Sequence, residues 1–502
     1  MDLFSNIMLG LQTALTPETL MFCFIGVTVG TFVGVLPGVG ALAAISLALP
    51  MTYYLDPTSA LIMLAGIFYG TQYGGSTASI LLNLPGSASS AVACLDGNPM
   101  AKQGRGGIAL FVTTIASFVG SSFAIVLVIA FAPVIAEMAI RFSSVEYFSV
   151  MLLGLVAAST LSGGSPLKGL AMVVLGLVFG LVGIDINSGQ ERFAFGVLEL
   201  SEGFTLVAMA MGLFGVAEIL SNVGRPKGEI MVKAKDLSLR SMLPSRAEWR
   251  TMFKPAARGS AIGSVVGALP GTGPSIASFM AYAVEKRVAK DPSRFGKGAI
   301  EGVTAPEAAN NASVQAAFIP TLSLGVPGDA VMAVMLGAMM IHGIIPGPLF
   351  LTDHPTMFWG LIMSFWIGNL LLLVLNIPLI GIWVRMLSIP YSILYPAILV
   401  FVCIGVYSVN NNAFDVYMVL MFGIIGYFMR MFQFPAAPML LGFILGPMME
   451  EHFRRALLLS RGDFWVFVER PISLAFLLLT LLFLVMSART VLVHVLRRRA
   501  AV

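Results

Sequence analysis

The chain has 502 residues, 58% of them apolar and only 11% Lys, Arg, Asp or Glu, with a mean hydropathy of +0.92 and a formal net charge of +4. Soluble domains carry about 25% charged residues, so a soluble enzyme, a nucleic-acid binder and a disordered scaffold are excluded and a polytopic membrane protein is predicted. The 52 glycines and 27 prolines are compatible with membrane spans, whose neighbours re-satisfy the backbone groups that helix breaks set free.

In chain order, residues 1–16 form an N-terminal segment. No Lys or Arg precedes Lys102, so the basic n-region of a secretory signal is missing and no cleavage is expected there. A first half spans 17–222. Within it GTFVGVLPGVG (Gly30–Gly40) interrupts an apolar stretch. Proline ends a helix, glycine admits positive φ, and the helix that resumes presents unpaired N–H groups with a partial positive charge. Such an end suits a carboxylate, which makes Pro37, Gly38 and Gly40 candidate substrate contacts. The string GVGALA also fits the loose GxGxxA dinucleotide pattern, but it lies in a membrane hairpin rather than a βαβ unit and is rejected. The polar, glycine-rich run Tyr69–Thr77 is predicted to be unwound, with Thr71, Gln72, Gly74, Gly75 and Ser76 offering oxygens to a dehydrated cation. LNLPG (Leu82–Gly86) adds Asn83, Pro85 and Gly86 to the substrate set.

Basic residues assign the sides, because short cytoplasmic loops are enriched in Lys and Arg. Lys102 and Arg105, then Lys168, then a linker at 223–258 belong to the cytoplasm; from Arg225 to Arg258 nine bases face three acids. The acid-rich segments Glu137–Glu146 and Asp185–Glu202 belong outside. Farther on, Arg385, Arg430 and the tail Arg497–Arg499 mark the inner side, and His354 and Asn410–Asn412 the outer.

A second half spans 259–452. GSVVGALPGTG (Gly263–Gly273) repeats the first broken stretch and nominates Pro270, Gly271, Thr272 and Gly273. The run Thr304–Ser313, also predicted to be unwound, adds Glu307, Asn310, Asn311 and Ser313 to the cation set, although Asn310 and Asn311 could simply hold helices together. LSLGVPGD (Leu322–Asp329) adds Pro327 and Gly328 to the substrate set, and Asp329 is either a coupling carboxylate or a helix N-cap. MGLFGVAE (Met211–Glu218) pairs with LGFILGPMME (Leu441–Glu450), so the order of matches is kept across the two halves. An outer loop at 453–470 and an extra C-terminal span with a basic tail, 471–502, complete the chain.

Arg258 precedes the second broken stretch and Lys286, Arg287 and Lys290 follow it, so both its ends read as cytoplasmic. The first is flanked by Glu18 and Asp56 and reads as entering from outside. The expectation is an all-α integral membrane protein of about 10–12 spans, built as two inverted-topology repeats, each with a re-entrant broken-helix hairpin, plus the extra span. Secondary transporters place substrate and ion sites at such interfaces. Gly176 and Gly180, like Gly442 and Gly446, read as helix-packing positions. Cys23, Cys94 and Cys403 lack a CxxC spacing and read as small core residues, and the four histidines are too scattered for a metal site. No GxxxxGK[ST] or HExxH sequence occurs, so neither ATP-driven transport nor zinc catalysis has its residues, no enzyme activity or cofactor is expected, and the energy must come from an ion gradient or another subunit. Na⁺ is favoured over H⁺ because hydroxyl, amide and carbonyl oxygens outnumber titratable groups. Glu307 and Asp329 leave proton coupling open.

The duplicated GxLPGxG, the APEAANNA run at Ala305–Ala312 and the stretch from Pro390 through Tyr407–Asn411 to Leu445–Pro447 resemble the large membrane subunit of the tripartite tricarboxylate transporters. The resemblance covers nearly the whole chain. It implies uptake of an organic acid across the bacterial inner membrane, delivered by a periplasmic solute-binding protein and driven by an ion gradient. A small membrane subunit of about four spans is implied as partner, with an elevator-like movement of the hairpin domain in membrane lipid. The competing expectation is a channel or a non-transporting membrane scaffold, which needs no binding protein.

Overall fold

The fold is described from a computed structural model covering residues 3–36, 39–139, 141–161, 165–185, 188–222, 239–269, 271–347, 349–387 and 391–500. Helices α1 (Leu3–Ala14), α2 (Pro17–Val35), α3 (Ala41–Thr52) and α4 (Pro57–Leu82) come first, then a 3-10 turn at Ser89–Val92 and α5 (Ala93–Met100). Helices α6 (Gly106–Ala139), α7 (Ser144–Leu161) and α8 (Pro166–Gly180) lead to a two-stranded antiparallel ribbon, β1 (Gly183–Ile184) with β2 (Glu191–Arg192), and to α9 (Leu198–Ser201). A π-helical turn at Met211–Val216 joins α10 (Leu206–Ala210) to α11 (Ala217–Asn222). The second half holds α12 (Leu239–Met242), α13 (Arg246–Gly267), α14 (Gly273–Val288), α15 (Glu301–Ala316), α16 (Phe318–Leu324) and α17 (Ala330–Ile341). It continues with α18 (Phe350–Asp353), α19 (Pro355–Asn376), α20 (Ile380–Met386), α21 (Tyr391–Asn410), α22 (Ala413–Met431) and α23 (Ala436–Leu459), and closes with α24 (Val466–Glu469) and α25 (Pro471–Ala500).

Five stretches among the described residues are long and apolar enough to cross a bilayer, at 17–35, 89–132, 355–376, 413–431 and 471–489, and shorter apolar helices accompany them. Their starts follow local rules. Pro17, Pro57, Pro355 and Pro471 open helices at the position where a missing N–H costs nothing. Asp56 caps α4 by accepting from Thr58 N at 2.9 Å and Ser59 N at 3.2 Å, and Ser245 and Glu248 form a reciprocal capping box on α13. That helix begins within the stretch read as linker, and α23 runs on into the stretch read as the outer loop.

Glycine governs the central packing. Gly26, Gly30 and Gly34 of α2 lie against the backbone of Met63, Ile67 and Thr71 in α4, and a Cβ on Gly30 would come within 2.8 Å of Ile67 Cα. In the second half Gly259, Gly263 and Gly267 of α13 meet Ala305, Ala309 and Ser313 of α15 in the same way, and a Cβ on Gly263 would come within 2.6 Å of Ala309 Cα. Each is a small-xxx-small seam. Gly176 of α8 and Gly442 of α23 likewise bring those two helices together.

Two expectations are overturned. The runs 69–77 and 304–313 are not unwound: both lie inside regular helices, α4 and α15, which are buried almost throughout. Gly70 and Gly74 serve close contact with α2 rather than a break, and Thr71 and Thr304 hydroxyls bond back to Phe68 O (2.6 Å) and Ile300 O (2.8 Å). Pro306 sits in the second turn of α15, where packing against α6, α13 and α14 outweighs its local cost. Among the cysteines, Cys23 is buried but Cys403 is exposed on α21 rather than in the core.

Ion pairs join distant segments. Arg105 pairs with Glu248, Arg192 with Glu450 (3.1 Å), Arg454 with Asp185 (3.1 Å) and Arg470 with Glu146 (2.5 Å). The arms α13 and α14 are tied at their base by Arg258, which reaches both oxygens of Glu285 at 2.8 and 2.6 Å.

Candidate functional site

The broken stretches converge. After α2 the chain leaves the helix at Leu36 and re-enters at α3 through Gly40 (φ −74°, ψ 172°). After α13 it turns through Gly271 (φ +79°), Thr272 and Gly273 (φ +66°) into α14. Pro37, Gly38 and Pro270 lie outside the described residues. Neither Gly40 nor Thr272 supplies a side-chain cap to the helix it starts. The Thr272 hydroxyl instead lies 2.5 Å from Val266 O and 2.9 Å from Leu269 O, turned back onto the end of α13. Two uncapped helix N-termini are thereby left, those of α3 and α14.

Both ends open into one cavity of about 760 Å³. Gly40, Pro85, Gly86, Gly271, Thr272 and Gly273 line it, as do Gln72 and Asp329. The Gly271 amide donates to Gly328 O at 2.9 Å, pinning the second tip to the VPGD loop. Asp329 caps α17 by accepting from Met332 N at 2.8 Å, and it also lines the cavity. Ser87 does the same locally in the first half, accepting from Ser90 N at 3.3 Å. Gln72 Oε1 accepts from Ser89 Oγ at 2.8 Å. Asn83 does not line this cavity: it is the left-handed C-cap of α4 (φ 55°, ψ 27°), the place that Gly325 (φ 67°) takes after α16. Pro327 and Gly328 are buried and are not among the lining residues.

The remaining cation candidates divide. Ser76 Oγ donates to Glu307 Oε1 at 2.7 Å and Ser117 Oγ to Oε2 at 3.4 Å, and Asn311 Nδ2 donates to Ser117 Oγ at 2.7 Å. Helices α4, α6 and α15 thus surround one buried carboxylate, and among the described ion pairs none involves Glu307. An isolated charge at that depth is costly unless a proton or a cation accompanies it. Asn310 has no partner for either side-chain polar atom, and Ser313 Oγ and Asn311 Oδ1 have none. Gly75 instead faces the Ser90 hydroxyl, while Thr71 and Gly74 serve the helix and its packing.

Several residues of this region escaped sequence reasoning. Ser117 is an ordinary serine in an apolar run, and Ser87 and Ser89 follow a turn. Glu218 of α11 and Arg430 of α22, which form an ion pair, both line the cavity. Arg430 was legible only as a marker of the inner side, and the match of MGLFGVAE to LGFILGPMME was the one signal that touched Glu218.

Comparison with known proteins gives the chain's family. Residues 20–441 match the family described as "Tripartite tricarboxylate transporter TctA family". The chain belongs to that family. The match covers most of the chain, so the family's character as the large membrane subunit of a tripartite tricarboxylate transporter applies to it: this is a multi-pass transporter subunit, not an enzyme. The chain is 50% identical over 478 residues, 95% of its length and 94% of the relative's, to an uncharacterised 52.8 kDa protein in the TAR-I ttuC' 3' region of Agrobacterium vitis. A second uncharacterised protein, in the TAR-II ttuC' 3' region of the same organism, is 54% identical over 215 residues, 43% of this chain and 89% of that one. No solved structure matches the chain.

Proposed function

We propose that this TctA-family chain is the permease of a secondary, binding-protein-dependent uptake system for an organic di- or tricarboxylate in the bacterial inner membrane, coupled to a cation gradient. The observation that carries the reading is the convergence of two uncapped helix N-termini, at α3 and α14, on one cavity. Each N-terminus carries about half a positive charge, so together they suit one carboxylate. The glycine seams α2 on α4 and α13 on α15 repeat the same packing in the two halves, which supports inverted repeats whose hairpin bodies move together in an elevator-like step. A periplasmic solute-binding protein delivers the acid and a small membrane subunit of about four spans completes the complex.

The coupling ion belongs at Glu307. Gln72 faces the cavity while Ser76, one turn along α4, holds Glu307, so a cation there sits beside the substrate and offsets its charge. Hydroxyls of Ser76 and Ser117 and the unpartnered Asn311 Oδ1 are oxygen ligands of the kind Na⁺ takes, and Na⁺ is the favoured ion, with H⁺ on Glu307 the alternative.

The test is uptake of labelled mono-, di- and tricarboxylates into proteoliposomes holding the chain with its small subunit, with binding protein supplied and Na⁺ and pH gradients imposed separately. Uptake should require the binding protein and follow the Na⁺ gradient, and Glu307→Gln should abolish that dependence. A response to pH alone, lost in Glu307→Gln, exchanges Na⁺ for H⁺. Uptake indifferent to both gradients removes coupling from the scheme.

A further inference from the structure

The cavity holds more charge than its tips account for. Asp329 already caps α17, so that helix end offers no positive field to a ligand, and the ends of α3 and α14 together supply about one positive charge. A di- or tricarboxylate has at least one carboxylate left over. Among the described lining residues one side chain is basic, Arg430, near the end of α22. It comes from α22, outside both broken stretches, and its Nη2 pairs with Glu218 Oε2 of α11. Glu218 Oε1 independently accepts from Asn222 Nδ2 at 2.8 Å. The Arg430 side chain is 38% exposed and Glu218 17%, so the arginine is the more open partner. A guanidinium presents five donors in a planar fork, of which this pair engages one edge, and such a fork matches a second carboxylate bidentately.

We propose that Arg430 anchors a second carboxylate of the substrate. The acid then spans the cavity from the uncapped ends of α3 and α14 to the α22 wall, and Glu218 is the resting counter-ion that holds the guanidinium in place and yields part of it when the acid enters. This deepens the transport reading given above and rests on it. It makes Arg430 the residue that discriminates acids with two or more carboxylates from monocarboxylates: a monoacid satisfies the tips alone and leaves the Arg430–Glu218 pair undisturbed.

The same proteoliposome assay separates this from the transport reading. Half-saturating concentrations are measured for labelled succinate, citrate and butyrate, and for the best transported acid of a wider panel, in wild type, Arg430→Gln, Arg430→Lys, Glu218→Gln and the double variant Arg430→Gln/Glu218→Gln. The double variant leaves no unpaired charge, so it reports on binding even where Arg430→Gln alone fails to insert. Loss of Arg430 should raise the half-saturating concentration for a polycarboxylate roughly ten- to hundredfold, the size of a lost charge-assisted pair, with the double variant affected alike and Arg430→Lys in between. Glu218→Gln should shift it the other way, because a competitor for the guanidinium is gone. A structural ion pair predicts equal losses from both single variants, and that symmetry overturns the proposal. So does an unchanged affinity in the double variant, in which case the transport reading stands without it. Failure of wild type to take up any acid ends both.

Discussion

Gly271 has no room for a methyl group. Its φ of +79° is a left-handed conformation, its amide is held by Gly328 O, and a Cβ would lie 2.9 Å from Ala158 Cα and N in α7. An alanine there costs roughly 1 kcal/mol or more in backbone strain and about 1–3 kcal/mol in overlap, both at the cavity wall. Gly40, the last glycine of the first string and the counterpart of Gly273, has a φ of −74° that suits any residue, and the atom nearest to an added methyl is Gly86 O at 4.0 Å. Gly271→Ala should therefore lower uptake by at least about tenfold, the effect of ~1.4 kcal/mol, at normal levels in the membrane. Gly40→Ala should stay close to wild type. Uptake rates normalised to inserted protein decide it, and equal behaviour of the two variants removes the distinction. Gly271 and Gly40 hold the fifth and seventh places of the GxLPGxG string, and even the matched pair Gly40 and Gly273 differ in φ, −74° against +66°, a difference that the string does not encode.

The elements are held by backbone contact more than by side-chain interlocking. Along α2–α4 and α13–α15 the seams run carbonyl against Cα, with glycine at every fourth residue of α2 and α13. In a bilayer the hydrophobic effect does little to join helices, so close approach and dispersion carry the association. Adding a branched side chain forces the helices apart. Gly30→Val and Gly263→Val should each destabilise the protein by about 1–3 kcal/mol or more, seen as a lower thermal transition of the detergent-purified chain. Gly381→Ala, in α20 with nothing within 4 Å of a new Cβ, should leave the transition where it is. A transition unmoved by Gly263→Val sinks the seam as a source of stability. The same seams explain why 69–77 reads as a broken segment in the sequence: glycines that permit close packing and glycines that break a helix have the same composition, and only the neighbouring helix tells them apart.

At the scale of the whole molecule, the inverted arrangement of the hairpins is tested by accessibility. In a Cys403→Ser background, which removes the exposed native thiol, cysteines replacing Glu18 and Tyr53 should react with an impermeant thiol reagent from outside, and cysteines replacing Arg250 and Lys290 from inside alone. All four positions are exposed. Labelling of the two ends of either hairpin from opposite sides overturns the re-entrant topology. The membrane class and the tip motifs were legible in the residues themselves, because apolar content and a repeated proline–glycine break are local properties of the chain. The convergence of Gly40 and Gly273 on one cavity, the choice of Asp329 as a cap, the Ser76–Ser117–Asn311 shell around Glu307 and the turn of Arg430 towards the cavity were decided by tertiary structure alone. Each depends on which helix lies opposite, and a seam of glycine against backbone fixes that neighbour through shape, leaving no charge or periodic pattern in the sequence by which to find it.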